Sequence, residues 1–316
     1  MALPTNTYHS YTMVGAKESF QDAIYNIAPT DTPFLSMLKR ENVSQKYHQW
    51  QTDTLASAAN NKQLEGDDAS GDSQTATVLN DNYCQISRKV VVVAGTLQAT
   101  AKWGRGKSEL AYLIGKSGKE LKRDMEYALT QNTTFNAGAA GTARQTRGLE
   151  GWIATNDMLG ASGASPDPSV GNNTAPTDGT QRAFTESLLR SAHQLAYTQG
   201  GNPSILMVGP FNRGVIDGFT GYSTRTSESA SKKLVSTIEV YVGPFGQLKV
   251  VTNRFSRDRT AFGLDMDYWS LGVLRPIQQQ ELSKTGDNEK RQILGEYCLI
   301  SKQEKASFAV RDLTTS

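Results

Sequence analysis

The chain has 316 residues, enough for one large or two modest domains, and 37% of them are hydrophobic, enough to build a real core. Its 33 basic and 31 acidic side chains nearly cancel to a formal net charge of +2, with no basic stripe of the kind a dedicated nucleic-acid binder carries. No apolar run approaches the roughly 18 residues of a membrane span, and MALPTNTYHSYTM has neither the charged nor the apolar region of a secretory signal, so neither is expected.

In chain order, residues 1–16 are polar and without period, and they read as an extended arm. Phe20, Ile24 and Ile27 at 3–4 spacing predict a short helix that Pro29 stops. Thr32-Pro33 then forces an extended residue before a second apolar segment, Phe34-Leu35 with Met37-Leu38. Residues 43–55 and 82–98 both read as extended. In the second, Cys84, Ile86, Val90 and Val92 share one parity within a β-branched run. The polar, Gly-containing and acidic stretch between them makes a ribbon whose tip is too long to be self-sufficient, so a partner should cover it. Cys84 and Cys298 are the only cysteines. They read as buried thiols of a reducing compartment more than as a disulfide framework.

The strongest helical signal runs from Lys107 to Asn132. Leu110, Leu113, Ile114, Leu121, Met125, Ala128 and Leu129 form one stripe of period 3.6. Ser108 is the expected N-cap, with Glu109 at the positive helix end. Lys116–Glu120 and Lys122–Glu126 are placed for i,i+4 ion pairs. Gly115 and Gly118 each cost about 1 kcal/mol against Ala, which points to close backbone packing or a bend. The expectation is a long spine helix carrying sheets from distant parts of the chain. A small-residue linker and a Gly/Pro/Ser/Asn-rich loop over 156–181 follow.

Residues 182–275 read as an α/β unit. A helix from Phe184 to Ala196 ends at Gly200-Gly201. SILMVG is a buried strand, and FNRGVIDGF is a short helix. Two strands flank a Gly-Pro-Phe-Gly turn. There Ile238, Val240 and Val242 are expected to give the apolar face, with Val235, Thr237, Glu239 and Tyr241 on the other. Further strands fall within 260–274 and 292–312, EKASFAVRDL being the terminal one. There is no internal repeat.

The string from Asp22 to Phe34, DAIYNIAPTDTPF, resembles the N-terminal signature of a family of tailed-bacteriophage major capsid proteins, D-x-I-x-N-I-x-P-x-D-T-P-F. The resemblance implies an α+β Hong Kong 97-type capsid fold. Its parts would be an N-terminal arm (1–42), an extended β-hairpin loop (43–98), a peripheral domain (99–181 and 276–316) with the spine helix 107–132, and an α/β axial domain (182–275). In that family the extended loop precedes the spine helix and lies over a neighbouring subunit, and the element order here matches. The last strands would return to the sheet beside the spine. The implied function is self-assembly into the icosahedral head shell around packaged double-stranded DNA, without sequence-specific contacts. Implied partners are further copies in hexamers and pentamers, with scaffolding, portal and decoration proteins also possible. The implied location is the virion capsid, assembled in the host cytoplasm. An encapsulin-like compartment shares the fold class and stands as the alternative.

Candidate chemistry is sparse. Ala101 to Ser108, AKWGRGKS, lies between a strand and a helix as a phosphate loop would, but Ala101 stands where that loop needs Gly. A nucleotide-binding enzyme would rest on Gly106-Lys107-Ser108 alone. His9, His48 and His193 are far apart, with no metal-ligand spacing. Asp265 and Asp267 could pair for a cation or for acid–base work, and a solvated strand edge is the simpler reading. Ser19 and Ser36 lie in no nucleophile elbow. Some members of the wider fold class link a loop Lys to an Asn. Lys62 lies on the candidate loop, but no motif places an acceptor or an acidic catalyst. The sequence assigns no catalytic residue, no metal ligand and no cofactor.

Overall fold

The computed structural model describes residues 31–66, 68, 71, 74–100, 108–219 and 239–315. The expected helix at 20–27 and the turn from Ala101 to Lys107 lie outside them. A proline suits the first helical position, where its missing N–H is not needed, and Pro33 opens α1 (Pro33–Met37) in that way. The chain continues through β1 (Lys39–Asn42), β2 (Tyr47–Thr52), β3 (Val78–Tyr83) and β4 (Gln85–Ala94). The short α2 (Gly95–Ala99) precedes the long α3 (Glu109–Thr130). Then come β5 (Asp157–Met158), α4 (Glu186–Thr198), β6 (Ile205–Val208) and α5 (Pro210–Ile216). The last strands are β7 (Val240–Gly243), β8 (Gly246–Thr252), β9 (Ala261–Leu264), β10 (Trp269–Leu282), β11 (Asn288–Ser301) and β12 (Phe308–Val310).

The spine forms as its period predicts. Ser108 caps it by accepting the Ala111 N–H at 3.2 Å, and Glu109 occupies the first turn. Its 22 residues span about 33 Å at 1.5 Å per residue. Leu110, Leu121, Met125 and Leu129 are buried along the stripe. Lys116 pairs with Glu120 at 3.9 Å. The Lys122–Glu126 pair does not form, because Glu126 points inward and is fully buried. Nor do the glycines pack closely within the chain: a Cβ at Gly115 or Gly118 would meet nothing within 4 Å.

Among the described residues the strands make three sheets: β1-β10-β11-β4, β5-β12-β9-β6-β8-β7, and the β2-β3 ribbon. The ribbon is shorter than 43–98 allows. Tyr47 to Thr52 pairs with Tyr83 back to Val78, whereas Gln85 to Ala94 pairs with β11. The valines explain this switch. Val91 and Val93 bury against Leu110 of α3, which a free hairpin would not offer them. Ile86, Val90 and Val92 share the opposite face and are 44%, 47% and 52% exposed.

Two large clusters form the core. One joins Phe34 and Leu35 of α1 to Leu121, Met125 and Leu129 of α3 and to Trp152, Trp269, Ile293 and Tyr297. The other joins α4, α5, β6, β8 and β12. The β7–β8 turn falls at Pro244-Phe245, as the sequence predicts. The apolar face of β7 is reversed, however. Tyr241 is fully buried opposite Leu248, while Val240 is exposed. The Tyr241 ring fills the core beneath α4 and its hydroxyl reaches Glu186 Oε1 at 3.2 Å, so one large amphipathic side chain outweighs the valines. β12 pairs with β9 and β5 in the six-stranded sheet, whereas β11 is the strand that lies beside the spine.

Candidate functional site

Among the described residues the geometry builds joints and surfaces. The first joint is Glu126. Pro33 fills the first position of α1, so Phe34 and Leu35 present the next two orphan N–H groups of that helix. Glu126 Oε1 accepts from Phe34 at 2.9 Å and Oε2 from Leu35 at 2.7 Å. Asn253 Nδ2 donates to the same carboxylate at 2.6 Å, while its backbone N–H donates to the Val208 carbonyl. One carboxylate thus ties α1 and the ends of β6 and β8 to the spine. Burial pushes its pKa up, and the three hydrogen bonds pull against that shift. Sequence reasoning missed this role. The available signal was that Glu126 adjoins Met125 and precedes Leu129 by three, on the flank of the buried stripe.

The second joint is a buried ionic network. Arg311 Nε meets both Asp157 oxygens at 2.7 and 2.8 Å, and its Nη2 donates to the Glu150 and Ile153 carbonyls. Glu150 Oε2 takes Arg257 at 2.9 Å, and Arg257 continues to Asp178. Asp312 takes Arg259 at 3.2 Å and the N–H groups of Gly160 and Gly179 at 2.9 and 2.7 Å. Burial raises the Asp157 carboxyl to about 6 against the pull of Arg311, and raises Glu150 as well. Every acid here has a fixed cationic or N–H partner, so the cluster locks the C-terminal segment to three loops.

The third feature is the ribbon. Its root is anchored. Trp50 Nε1 donates to the Ser301 carbonyl at 2.8 Å, and buried Asn82 donates to the Leu299 carbonyl and Thr146 and accepts from Arg147 N. Beyond the root, every described residue from 53 to 77 is exposed, with Leu55 99% and Leu64 79% accessible.

The residues singled out for chemistry do not converge. Asp265 caps a one-turn 3-10 helix by accepting Asp267 N, and Asp267 pairs with Lys39 at 2.6 Å at the surface. His48 stacks on Trp50 in the ribbon, and His193 lies buried between Phe245 and Phe308. Ser36 donates to the Thr32 carbonyl, and Lys62 lies on the exposed loop. His9 and Ser19 lie outside the described residues. Among those described, no group of His, Cys, Asp and Glu could hold a metal ion, and no helix is long and apolar enough to cross a membrane.

The model of the SU10 major capsid protein family matches residues 3–314. The chain belongs to that family. The major capsid protein of Escherichia phage Phieco32 is 31% identical over an alignment of 344 residues covering 97% of each chain. Among solved structures, the cyanophage A-1(L) capsid asymmetric unit matches with a TM-score of 0.62 at 14% identity, over 95% of this chain and 97% of that one. Mycobacterium phage Bobi matches with 0.61 at 12%, over 95% and 96%. At these identities the structural likeness concerns the fold, which is the α+β Hong Kong 97-type capsid fold. The protein is a major capsid protein of a tailed phage and builds an icosahedral shell. Neither the encapsulin-like compartment nor the nucleotide-binding enzyme is favoured.

Proposed function

We infer that the loop from Asp53 to Thr77 is the clasp by which one capsid subunit holds its neighbour. The observation that carries this is the complete exposure of its described residues, two leucines included, on an anchored root. An exposed apolar side chain is ordinary singly, but a loop this long with no packing of its own needs a covering partner. In this reading the part of the 1–42 arm that precedes α1 also reaches a neighbour, while α1 and β1 pack within their own subunit. The ribbon of β2 and β3 with its tip is the extended loop within 43–98. Residues 99–181 and 276–316 make the peripheral domain, and 182–275 make the axial domain of hexamers and pentamers. The shell encloses DNA without reading its sequence, assembles in the host cytoplasm and acts mechanically, not as an enzyme. Scaffolding, portal and decoration proteins are further candidate partners. Hydrogen exchange over residues 56–77 tests the clasp: fast exchange in isolated subunits and strong protection in assembled particles are expected. Equal, fast exchange in both states would show a free loop.

A further inference from the structure

The two cysteines are free and buried, and the fold brings them together. Gln85 stands opposite Tyr297 at the end of the β4–β11 ladder. Cys84, the residue before Gln85, lies between β3 and β4 with its N–H on the Lys46 carbonyl, and the register carried one step further points it at Cys298. Directly opposed residues of an antiparallel pair have Cα atoms about 4.5–5.5 Å apart and side chains on the same face. A disulfide accepts Cα separations of about 4.4–6.8 Å. Both thiols sit with Val43 and Ile300 beneath the ribbon root, flanked by Trp50. Cys84 Sγ donates to the Gln45 carbonyl at 3.7 Å.

We propose that Cys84 and Cys298 are an oxidative modification site, at which a hydroperoxide closes an intrachain disulfide that pins the ribbon root to β11. Cys84 sits at the crossover between β3 and β4, outside either ladder, whereas Cys298 is held inside β11, so Cys84 is assigned as the attacking sulfur. The Cys84 thiolate attacks one peroxide oxygen and the O–O bond breaks. The leaving hydroxide or alkoxide takes up the proton that the Cys84 thiol gave up, so water leaves from hydrogen peroxide, or an alcohol from an alkyl hydroperoxide, and a sulfenic acid remains on Cys84. Cys298 sulfur then attacks that sulfenic sulfur. The S–O bond breaks, hydroxide leaves with the Cys298 proton as a second water, and the S–S bond forms. The two thiols lose two electrons in all and the peroxide gains them. In a reducing compartment the pair stays dithiol, and an oxidising medium closes it. The bond would fix the base from which the 53–77 loop springs, whichever surface that loop contacts. It would also close a long chain loop, which stabilises chiefly by restricting the unfolded chain.

The test treats the full-length native protein with hydrogen peroxide or with dithiothreitol, then alkylates it in denaturant. The expected result is loss of both free thiols, a mass lower by two hydrogens and a Cys84–Cys298 linked peptide. Dithiothreitol should reverse all three, and the oxidised form should melt several degrees higher. Cys84→Ser and Cys298→Ser should each abolish the link and the melting shift. Two thiols surviving peroxide, separate sulfinic acids on the two residues, or a link between copies would each overturn the proposal. These readouts need only the wild-type chain, so a variant that fails to fold leaves the outcome decided.

Discussion

Glu126 meets three donors, and of these the Asn253 amide alone has a second acceptor described there, the Met207 sulfur at 3.4 Å. Removing it leaves two backbone N–H groups unsatisfied, at roughly 1–3 kcal/mol each, and leaves the amide with only a weakly accepting sulfur. Glu126→Ala is therefore expected to lower unfolding free energy by about 3 kcal/mol or more, and Glu126→Gln by less, since one oxygen remains while an NH2 faces a donor. Lys116→Ala, at an exposed i,i+4 pair, should change it by under about 0.5 kcal/mol. Urea titration of the subunit measures all three. Asp157 makes a pH prediction. Its folded pKa of about 6 lies above its ordinary 3.8, so the folded state binds more protons between those values. That stability is fully present below about 4 and is lost as pH rises through about 6. Two pKa units correspond to about 3 kcal/mol at most. Glu150 and Glu126, both shifted upward, add in the same sense. These three acids lower the unfolding free energy from pH 4 to 7. His48 and His193, held below their ordinary pKa by burial, act in the opposite sense near pH 6. Asp157→Asn should remove its share of the fall. An unchanged slope in the variant would assign the titration elsewhere.

At the scale of elements, α3 carries two glycines that its own fold does not require. Replacing either by Ala adds a methyl into open space and removes backbone entropy from the unfolded chain. Gly115→Ala and Gly118→Ala are each expected to stabilise the isolated subunit by about 0.5–1 kcal/mol, read from the urea midpoint. Loss of stability in either would mean that the helix has a close neighbour at that point. The spine was legible in the sequence because cap, stripe and charges act within one local period. What the spine binds was not. Glu126 reads as an i,i+4 partner of Lys122 until the donors of Phe34, Leu35 and Asn253, all distant in sequence, are brought to it. Cys84 and Cys298, likewise, meet only through the β4–β11 register. Tyr241 was misplaced because parity counts valines equally, whereas the core beneath α4 selects by side-chain size and by a hydroxyl partner at Glu186. The four-stranded order β1-β10-β11-β4 joins strands from both ends of the chain, and no local pattern encodes that.

The whole molecule separates its own stability from the energy of its assembly. Both large core clusters, the Glu126 joint and the Arg311 network lie outside the 53–77 loop. Replacing residues 54–76 with a short Gly-Ser turn keeps the ladder to Thr52 and Val78 and the anchors at Trp50 and Asn82. The isolated subunit should therefore melt within a few degrees of wild type. The shell should not fare as well. Ordering some twenty loop residues costs about 1–2 kcal/mol each in backbone entropy, tens of kcal/mol in total. Burying Leu55 and Leu64 returns only about 2–3 kcal/mol apiece. A neighbour must therefore supply extensive backbone hydrogen bonding and further buried area, and that contribution disappears with the loop. The shortened chain is expected to give monodisperse subunits that assemble poorly, or particles that dissociate at lower denaturant than wild type. Light scattering and electron microscopy measure the first, and denaturant titration of purified particles the second. Particles as numerous and as stable as wild type would remove the loop from the energetics of the shell and leave the arm and the outward face of Ile86, Val90 and Val92 to hold it.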